Sequence, residues 1–353
     1  MAAEIEIRTT TTDVVTQADR DTHLSAETIT AIAAGRADST SRAYRADREA
    51  YARWCAAEGR TALPATAETI ASYAAHLTTA PLPRTGRPAS PSSIDRAMSA
   101  ISTLHAEHDL PKPSTVAARA VINGFRTRLA LAKDPAAKPR KASPAVPTAL
   151  RAMLAPVDRT TLLGKRDAAL VLLGFATAAR VSELVAVDVT DLRETDEGLD
   201  TSIYRRKVKL FTENVVLYGS DPATCPVRAV QAYTTALVAA GRTGGPLFVR
   251  IDRHGRVAPP MLRKGRPIGD PSGRITPEAA ADVVTRLADR AGLTGDWSGH
   301  SLRRGFATAA RLAGHDVIRI GRTGGWADGS RALAGYMEDA DRVTASPLVG
   351  IGL

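Results

Sequence analysis

From residue 23 to residue 132 apolar positions recur every three or four residues, the spacing of helices that bury one face. Thr28 to Ala34 predicts a short first helix. Ser39 or Thr40 can cap a longer one running to Glu58, with Tyr44, Tyr51, Trp54 and Cys55 on one side and Arg42, Arg45, Arg48 and Arg53 elsewhere around it. Gly59 supplies the usual stop. Pro64 and Thr66 open a helix reaching Thr79. Ser90-Pro91 reads as an N-cap followed by an N1 proline for a helix to His108, and Pro113-Ser114 reads the same way for one ending near Lys133. Pro81 to Ala89 is a loop carrying Arg84 and Arg87. The pattern predicts a helical bundle of four or five helices.

Residues 1–22 are rich in threonine and acidic residues without apolar periodicity, which predicts a flexible arm. Residues 133–147 hold four prolines and the cations Lys138, Arg140 and Lys141, so they read as an extended basic linker. A second domain spans residues 148–337. Leu162 to Thr177 is strongly apolar and predicts a core helix. Ser202 to Tyr218 is β-branched at both ends with Lys207 and Lys209 near its middle, the pattern of a β-hairpin. Cys225-Pro226 opens a helix to Ala240, Pro246 to Val249 is a short extended piece, and residues 252–275 read as a Gly/Pro/Arg-rich loop. Thr276-Pro277 caps a helix to Ala291, and His300 to Ala313 forms another. The fold class expected is mainly α, with a small β-hairpin or sheet in the second domain. Residues 338–353 are a partly apolar tail.

Charge narrows the partner. Among 353 residues, 47 are Lys or Arg and 37 are Asp or Glu, a formal net charge of +10. That excess favours a polyanion, nucleic acid first, through phosphate neutralisation. Arg42, Arg45, Arg84, Arg87, Lys138, Arg140 and Lys141 are the candidate DNA-contacting cations. The two cysteines, Cys55 and Cys225, build neither a disulfide framework nor a zinc site. No run of 18 apolar residues and no signal-peptide core occurs, so a soluble cytoplasmic protein without membrane contact is expected, nucleoid-associated if the host is bacterial.

The chemistry-bearing residues concentrate near the carboxyl end. His300 and Arg303, three apart on one helix, share a face and can reach one anion. Arginine offers a planar fork for two phosphate oxygens, and histidine exchanges a proton near neutral pH. Gly324-Gly325-Trp326 follows, then Tyr336, a nucleophile that such a cationic nest could serve. Upstream, Arg180 follows the core helix directly, and Glu183 stands three residues on to hold its charge in place. No carboxylate cluster suited to two metals is present, so no metal is expected as cofactor, and a phosphotyrosyl link would conserve the bond energy, so no ATP is expected either.

This ordered set, Arg180-x-x-Glu183, a hairpin lysine, Gly299-His300-x-x-Arg303, Gly324-Gly325-Trp326 and Tyr336, resembles the tyrosine recombinase (phage integrase) family. The likeness spans residues 38–343 and is strongest in the last fifty. It implies a helical core-binding domain and an α+β catalytic domain forming a C-shaped clamp on DNA. It implies that Tyr336 attacks the scissile phosphate to form a 3′-phosphotyrosyl link, with Arg180, Arg303, His300 and Trp326 around the phosphate and Glu183 behind them. Lys207 would be the general acid, with Lys209 as the alternative. The implied activity is site-specific recombination of double-stranded DNA through a Holliday junction. The implied assembly is a homotetramer on two duplexes, a monomer or weak oligomer without DNA, the tail docking on a neighbouring subunit. Tyr336 lies ten residues after Trp326, one more than the likeness implies, so the connection must absorb an insertion. Two other readings compete: a related nuclease-ligase, such as a telomere resolvase or type IB topoisomerase, and an architectural DNA-binding protein whose site has decayed.

Overall fold

The computed structural model describes residues 25–34, 38–83 and 85–344. The expected arm at 1–22, Arg84 and the last part of the expected tail, 345–353, lie outside the described residues. The chain divides into two compact units, Met1–Pro139 and Arg140–Leu353.

The first unit is helical throughout its described part: α1 (Ala26–Ala34), α2 (Asp38–Ala57), α3 (Ala67–Leu77), α4 (Pro91–Glu107) and α5 (Val116–Leu131). Thr66 and Ser90 cap α3 and α4 by accepting from the backbone N–H groups of Thr69 and Ser93, each at 3.2 Å. Tyr51, Ile70, Tyr73, Ile94, Ile101 and Ile122 form its core. His105 is buried there as a neutral structural group: its Nε2 accepts from the Ala65 N–H at 2.8 Å, which leaves Nδ1–H to donate to the Ile101 carbonyl at 2.9 Å. Arg48 donates to Glu107 at 2.7 Å and to the Ala100 carbonyl, tying α2 to α4. Helix α5 begins later than Pro113-Ser114 suggests. Its cap is Thr115, whose side chain makes no capping bond, and Pro113 and Ser114 stay in the preceding loop.

In the second unit, α6 (Pro147–Leu154) leads to the apolar α7 (Leu162–Ala176) and the one-turn α8 (Val181–Leu184). An antiparallel sheet follows in the order β1 (Leu192–Glu194), β2 (Gly198–Arg205), β3 (Leu210–Leu217). The expected hairpin is therefore joined by a third strand. A tight turn, with Gly198 and Thr195 exchanging backbone bonds at 3.2 and 3.0 Å, folds β1 back onto β2. Next come α9 (Pro226–Ala239), a small hairpin of β4 (Met261–Arg263) and β5 (Arg266–Ile268), α10 (Pro277–Arg290), α11 (Gly299–Leu312), α12 (Val317–Gly324) and α13 (Arg331–Thr344). The core gathers Leu170, Leu173, Val230, Tyr233, Phe248 and Leu302 from α7, α9, the extended piece that follows α9, and α11.

Three expectations are corrected. Residues 252–275 are not one irregular loop. Lys264 and Gly265, both at positive φ (52° and 75°), form the two-residue turn that hairpins favour, and Pro267 is tolerated because its strand has only one partner. The segment 133–147 is not extended throughout. Pro135–Ala137 forms a short 3-10 turn, and the stretch after Pro139 belongs to the second unit, where the Ser143 N–H donates to the Asp296 carbonyl at 2.6 Å and the Ala145 N–H to the Ser301 carbonyl at 2.9 Å. Finally, α13 runs on through Thr344, so the expected tail begins inside a helix.

The docked strap explains Gly305 on α11. A Cβ there would meet the Ala145 carbonyl oxygen at 2.3 Å and its nitrogen at 2.7 Å, contacts only backbone movement could relieve. Gly305→Ala should destabilise the protein by about 1–3 kcal/mol, read as a lower urea midpoint at unchanged slope; an unchanged midpoint would show that the strap is not held against α11.

Candidate active site

The end of α7 sets the first piece of the site. Ala178 turns the chain at φ 49°, a left-handed conformation that costs a non-glycine residue roughly 1–2 kcal/mol. It aims its carbonyl inward and starts Arg180 at the head of α8. Glu183, fully buried, accepts from the Arg180 backbone N–H at 3.0 Å and from its guanidinium at 2.6 Å. Its Oε2, which takes the Arg180 backbone N–H, also accepts a hydrogen bond from Arg205 at 3.2 Å.

Arg205 was not among the residues singled out in the sequence, yet it is wholly buried and holds several elements together. It donates to the Thr212 hydroxyl at 2.8 Å and to the Thr177 and Thr323 carbonyls at 2.9 and 3.0 Å. The signal was there in the alternation of β2: Leu199, Thr201 and Ile203 point inward, and Arg205 is the next position on that face. The neighbouring Lys207 stands on the exposed turn between β2 and β3 with Lys209, outside the residues that line the cleft described below.

From α11, Arg303 donates to the Ala178 carbonyl at 2.5 Å and to the Gly324 carbonyl at 2.6 Å. Its guanidinium carbon lies 3.5 Å from the Trp326 ring centroid, a close cation–π contact. Its second terminal nitrogen is buried without a hydrogen-bond partner. Gly325, at φ 65°, closes α12 in the left-handed turn, and a Cβ on it would press on Arg205 at 2.9 Å. Trp326 thereby folds back over Gly324. Between Trp326 and Tyr336 the chain turns at Ala327–Ser330, where the Ser330 N–H donates to the Ala327 carbonyl at 3.1 Å and Gly329 takes a positive φ.

Tyr336 on α13 packs edge-on to Trp326, with ring centroids 6.0 Å apart. It lines an open cleft of about 460 Å³ with His300, Arg304, Trp297, Arg140 and Lys141. The fold therefore gathers Arg180, Glu183, His300, Arg303, Trp326 and Tyr336 into one region, and Arg140 and Lys141 join them from the strap. Arg42, Arg45 and Arg87 are exposed on the first unit, as is Lys138 at its end. Asp296, Trp297 and Arg304 also line the cleft and were not among the candidate site residues.

Electrostatically the site has too few anions. Burial, then Arg180, presses the Arg303 pKa well below the usual arginine value, and Arg205 adds to the effect. Burial also lowers that of Arg205, which Glu183 partly restores. His300 keeps solvent access, but the surrounding protein, then Arg303 and Arg180, lower its pKa from 6.5. That favours its neutral form. Of three neighbouring guanidinium groups only Arg180 and Arg205 pair with the one carboxylate, Glu183, so an anion is the missing partner. Among the described residues no group of His, Cys, Asp and Glu could hold a metal ion, and no helix is long and apolar enough to cross a membrane.

The phage integrase family model matches residues 148–342, more than half of the chain. The chain belongs to the phage integrase family. A xerD-homologue integrase/recombinase of Selenomonas ruminantium is 30% identical over 292 residues, covering 80% of this chain and 76% of that protein. Recombinase Cre of Escherichia phage P1 is 24% identical over 303 residues, 84% of this chain and 82% of Cre. The fold is similar to a lambda integrase (75–356) dimer bound to a COC′ core site, with TM-score 0.54 and 14% identity, covering 87% of this chain and 91% of that one. As a tyrosine recombinase the protein is a site-specific DNA recombinase, an enzyme of DNA cleavage and religation.

Two predictions follow from the buried charges. Glu183→Gln leaves Arg205 buried beside a neutral amide, which should cost about 3–5 kcal/mol in chemical denaturation; a loss below 1 kcal/mol would show that the carboxylate is not the anchor of this cluster. For His300, whose folded pKa lies below its unfolded one, the unfolded state binds more protons as pH falls. Stability should be fully present above pH 6.5 and drop as acid is added toward the lowered value. His300→Asn should remove that part of the decline; parallel pH–stability curves for the two proteins would refute the shift.

Proposed function

We propose that Tyr336 is the nucleophile and that the arginine cluster is the seat of the scissile phosphate. The tyrosyl oxygen forms a bond to phosphorus as the bond to the 5′-oxygen breaks, giving a 3′-phosphotyrosyl link and a free 5′-hydroxyl. Arg180 and Arg303 hold the non-bridging oxygens, where charge builds in the transition state. Trp326 orients Arg303 through its ring and packs against Tyr336. Neutral His300, at the cleft with Tyr336, serves as hydrogen-bond partner or proton acceptor. Lys207, carried on the exposed β2–β3 turn, gives its proton to the leaving 5′-oxygen when that turn meets the DNA. Glu183 acts through Arg180 and Arg205 as a positioning residue.

The observation that carries this reading is the buried, partnerless nitrogen of Arg303 in a cluster of three guanidinium groups and one carboxylate. A phosphodiester supplies the missing acceptor and the missing negative charge together. Arg303 is 1% exposed in the free protein, so seating the phosphate requires the Trp326–Tyr336 pair to part. The phosphotyrosyl link conserves the bond energy, so rejoining needs neither ATP nor metal.

On the same reading Arg42, Arg45, Arg84, Arg87, Lys138, Arg140 and Lys141 neutralise phosphates of the duplex. Four copies then exchange strands between two duplexes through a Holliday junction, each tail reaching a neighbour.

Incubated without metal with a nicked duplex carrying its site, the wild type should yield a denaturation-resistant protein–DNA adduct. Tyr336→Phe should yield none, and Arg303→Ala should bind the site while losing on the order of a hundredfold or more in cleavage rate. An adduct from the phenylalanine variant would remove Tyr336 as nucleophile.

A further inference from the structure

We propose that the β4–β5 hairpin is a second DNA-contacting element, a basic two-stranded ribbon lying in a groove of the duplex beside the cleavage pocket. The proposal rests on the DNA-cleaving reading and adds to it a surface outside the catalytic cluster.

Charge selects the partner. The segment 250–274 carries seven arginine and lysine residues against two carboxylates, Asp252 and Asp270. Three of the cations, Arg263, Lys264 and Arg266, sit at or beside the hairpin tip, and every residue of both strands is exposed. Met261, Leu262 and Ile268 add exposed apolar surface on the same ribbon. A second copy of so basic a ribbon would repel it, whereas duplex DNA offers both phosphates for the cations and thymine methyls for the apolar side chains. The major groove, about 12 Å wide, admits a two-stranded ribbon.

The hairpin is also anchored firmly enough to serve as a fixed arm. The Arg250 N–H donates to the Gly273 carbonyl and the Ala258 N–H to the Arg250 carbonyl, each at 2.9 Å, so the ribbon grows out of the core segment Phe248–Val249. Arg274 clamps its root. Its guanidinium donates to the Val185 carbonyl at 2.7 Å and to Asp188 at 2.6 Å, on the chain that leaves α8 and therefore Arg180. From the root the chain enters α10, where Ala281 lies beside Gly299. A Cβ on Gly299 would come within 3.5 Å of Ala281 and collide with Val181 at 1.8 Å. The root thus shares a side of the unit with Arg180 and with the end of α11 that carries His300. Beneath the ribbon, all three side-chain nitrogens of Arg250 are buried without a hydrogen-bond partner.

The test compares wild type with the triple variant R263A/K264A/R266A, whose substitutions are exposed and outside the catalytic machinery. Affinity for a random-sequence linear duplex is measured across a salt series. Each lost phosphate contact removes about 0.9 from the slope of log K against log salt. The variant's slope should therefore fall by about two to three, with low-salt affinity down on the order of tenfold or more. Its adduct yield on the nicked site at saturating protein should match wild type, showing an intact pocket. Replacing residues 261–268 with a short Gly-Ser turn should give the same loss of slope. A slope unchanged in both variants overturns the proposal. So does a change in sedimentation of the free protein with DNA binding unaltered, which would mark the ribbon as a protein interface. Binding is read without cleavage, so failure of wild type to form a Tyr336 adduct would sink the catalytic reading while the salt slope still judges the hairpin.

Discussion

A single buried carboxylate, Glu183, holds the catalytic unit's cation cluster together. It takes hydrogen bonds from Arg180 on its own helix and from Arg205 at the end of β2, and so fixes α8 against the sheet. Arg205 then reaches the ends of α7 and α12 through the Thr177 and Thr323 carbonyls. The consecutive helices α7 and α8 therefore meet β2 and the much later α12 around one buried carboxylate. Buried pairs of this kind contribute little net stability against an apolar replacement, but losing one partner is expensive. Their value is positional: a guanidinium held on two or three acceptors cannot wander.

The same cluster is deliberately short of negative charge. Arg303 receives no carboxylate; it is held by two backbone carbonyls and the face of Trp326. Burying it there disfavours its charged form, and Arg180 makes this worse. Ala178 adds backbone strain at the carbonyl that Arg303 needs. Strain and unbalanced charge at one place raise the energy of the free protein locally, and the phosphate of the proposed reaction would relieve the electrostatic part. Preorganised donors of this sort act where charge develops without having to reorient.

Tyr336 sits on a less firmly held element. Helix α13 packs on α11 through a small cluster of Ala307, Ile320, Trp326, Leu333 and Met337, with the Thr308 hydroxyl on the Tyr336 carbonyl. Its ion pairs, Arg311–Asp341 and Lys141–Glu338, are partly or largely exposed and of the kind worth roughly 0–1 kcal/mol each. Arg303 rests on the same small cluster through the Ala178 carbonyl and the Trp326 ring, so Arg303 and Tyr336, the proposed nucleophile, share one satellite of the main core.

Much of this was legible in the chain itself, for local reasons. Helix positions follow from apolar spacing and from caps such as Thr66, Ser90 and Thr276, whose side chains bond backbone groups only three residues away. The grouping of Arg180, Glu183, His300, Arg303, Trp326 and Tyr336 was readable because residue type, order and spacing together are specific even though each alone is common. The β4–β5 hairpin was missed although Lys264-Gly265 announced its turn, because the prolines and glycines around it read as coil. What only the tertiary structure decided are the matters that depend on contacts across long separations. Arg205 became the central tie instead of one more surface cation because β2 turns that face onto Glu183 and Thr323. Residues 140–147 became a packed strap because two backbone N–H groups found carbonyls beside and on α11, more than a hundred and fifty residues away. Short-range geometry and composition are written residue by residue; partners for buried donors and charges exist only once the chain has closed around them.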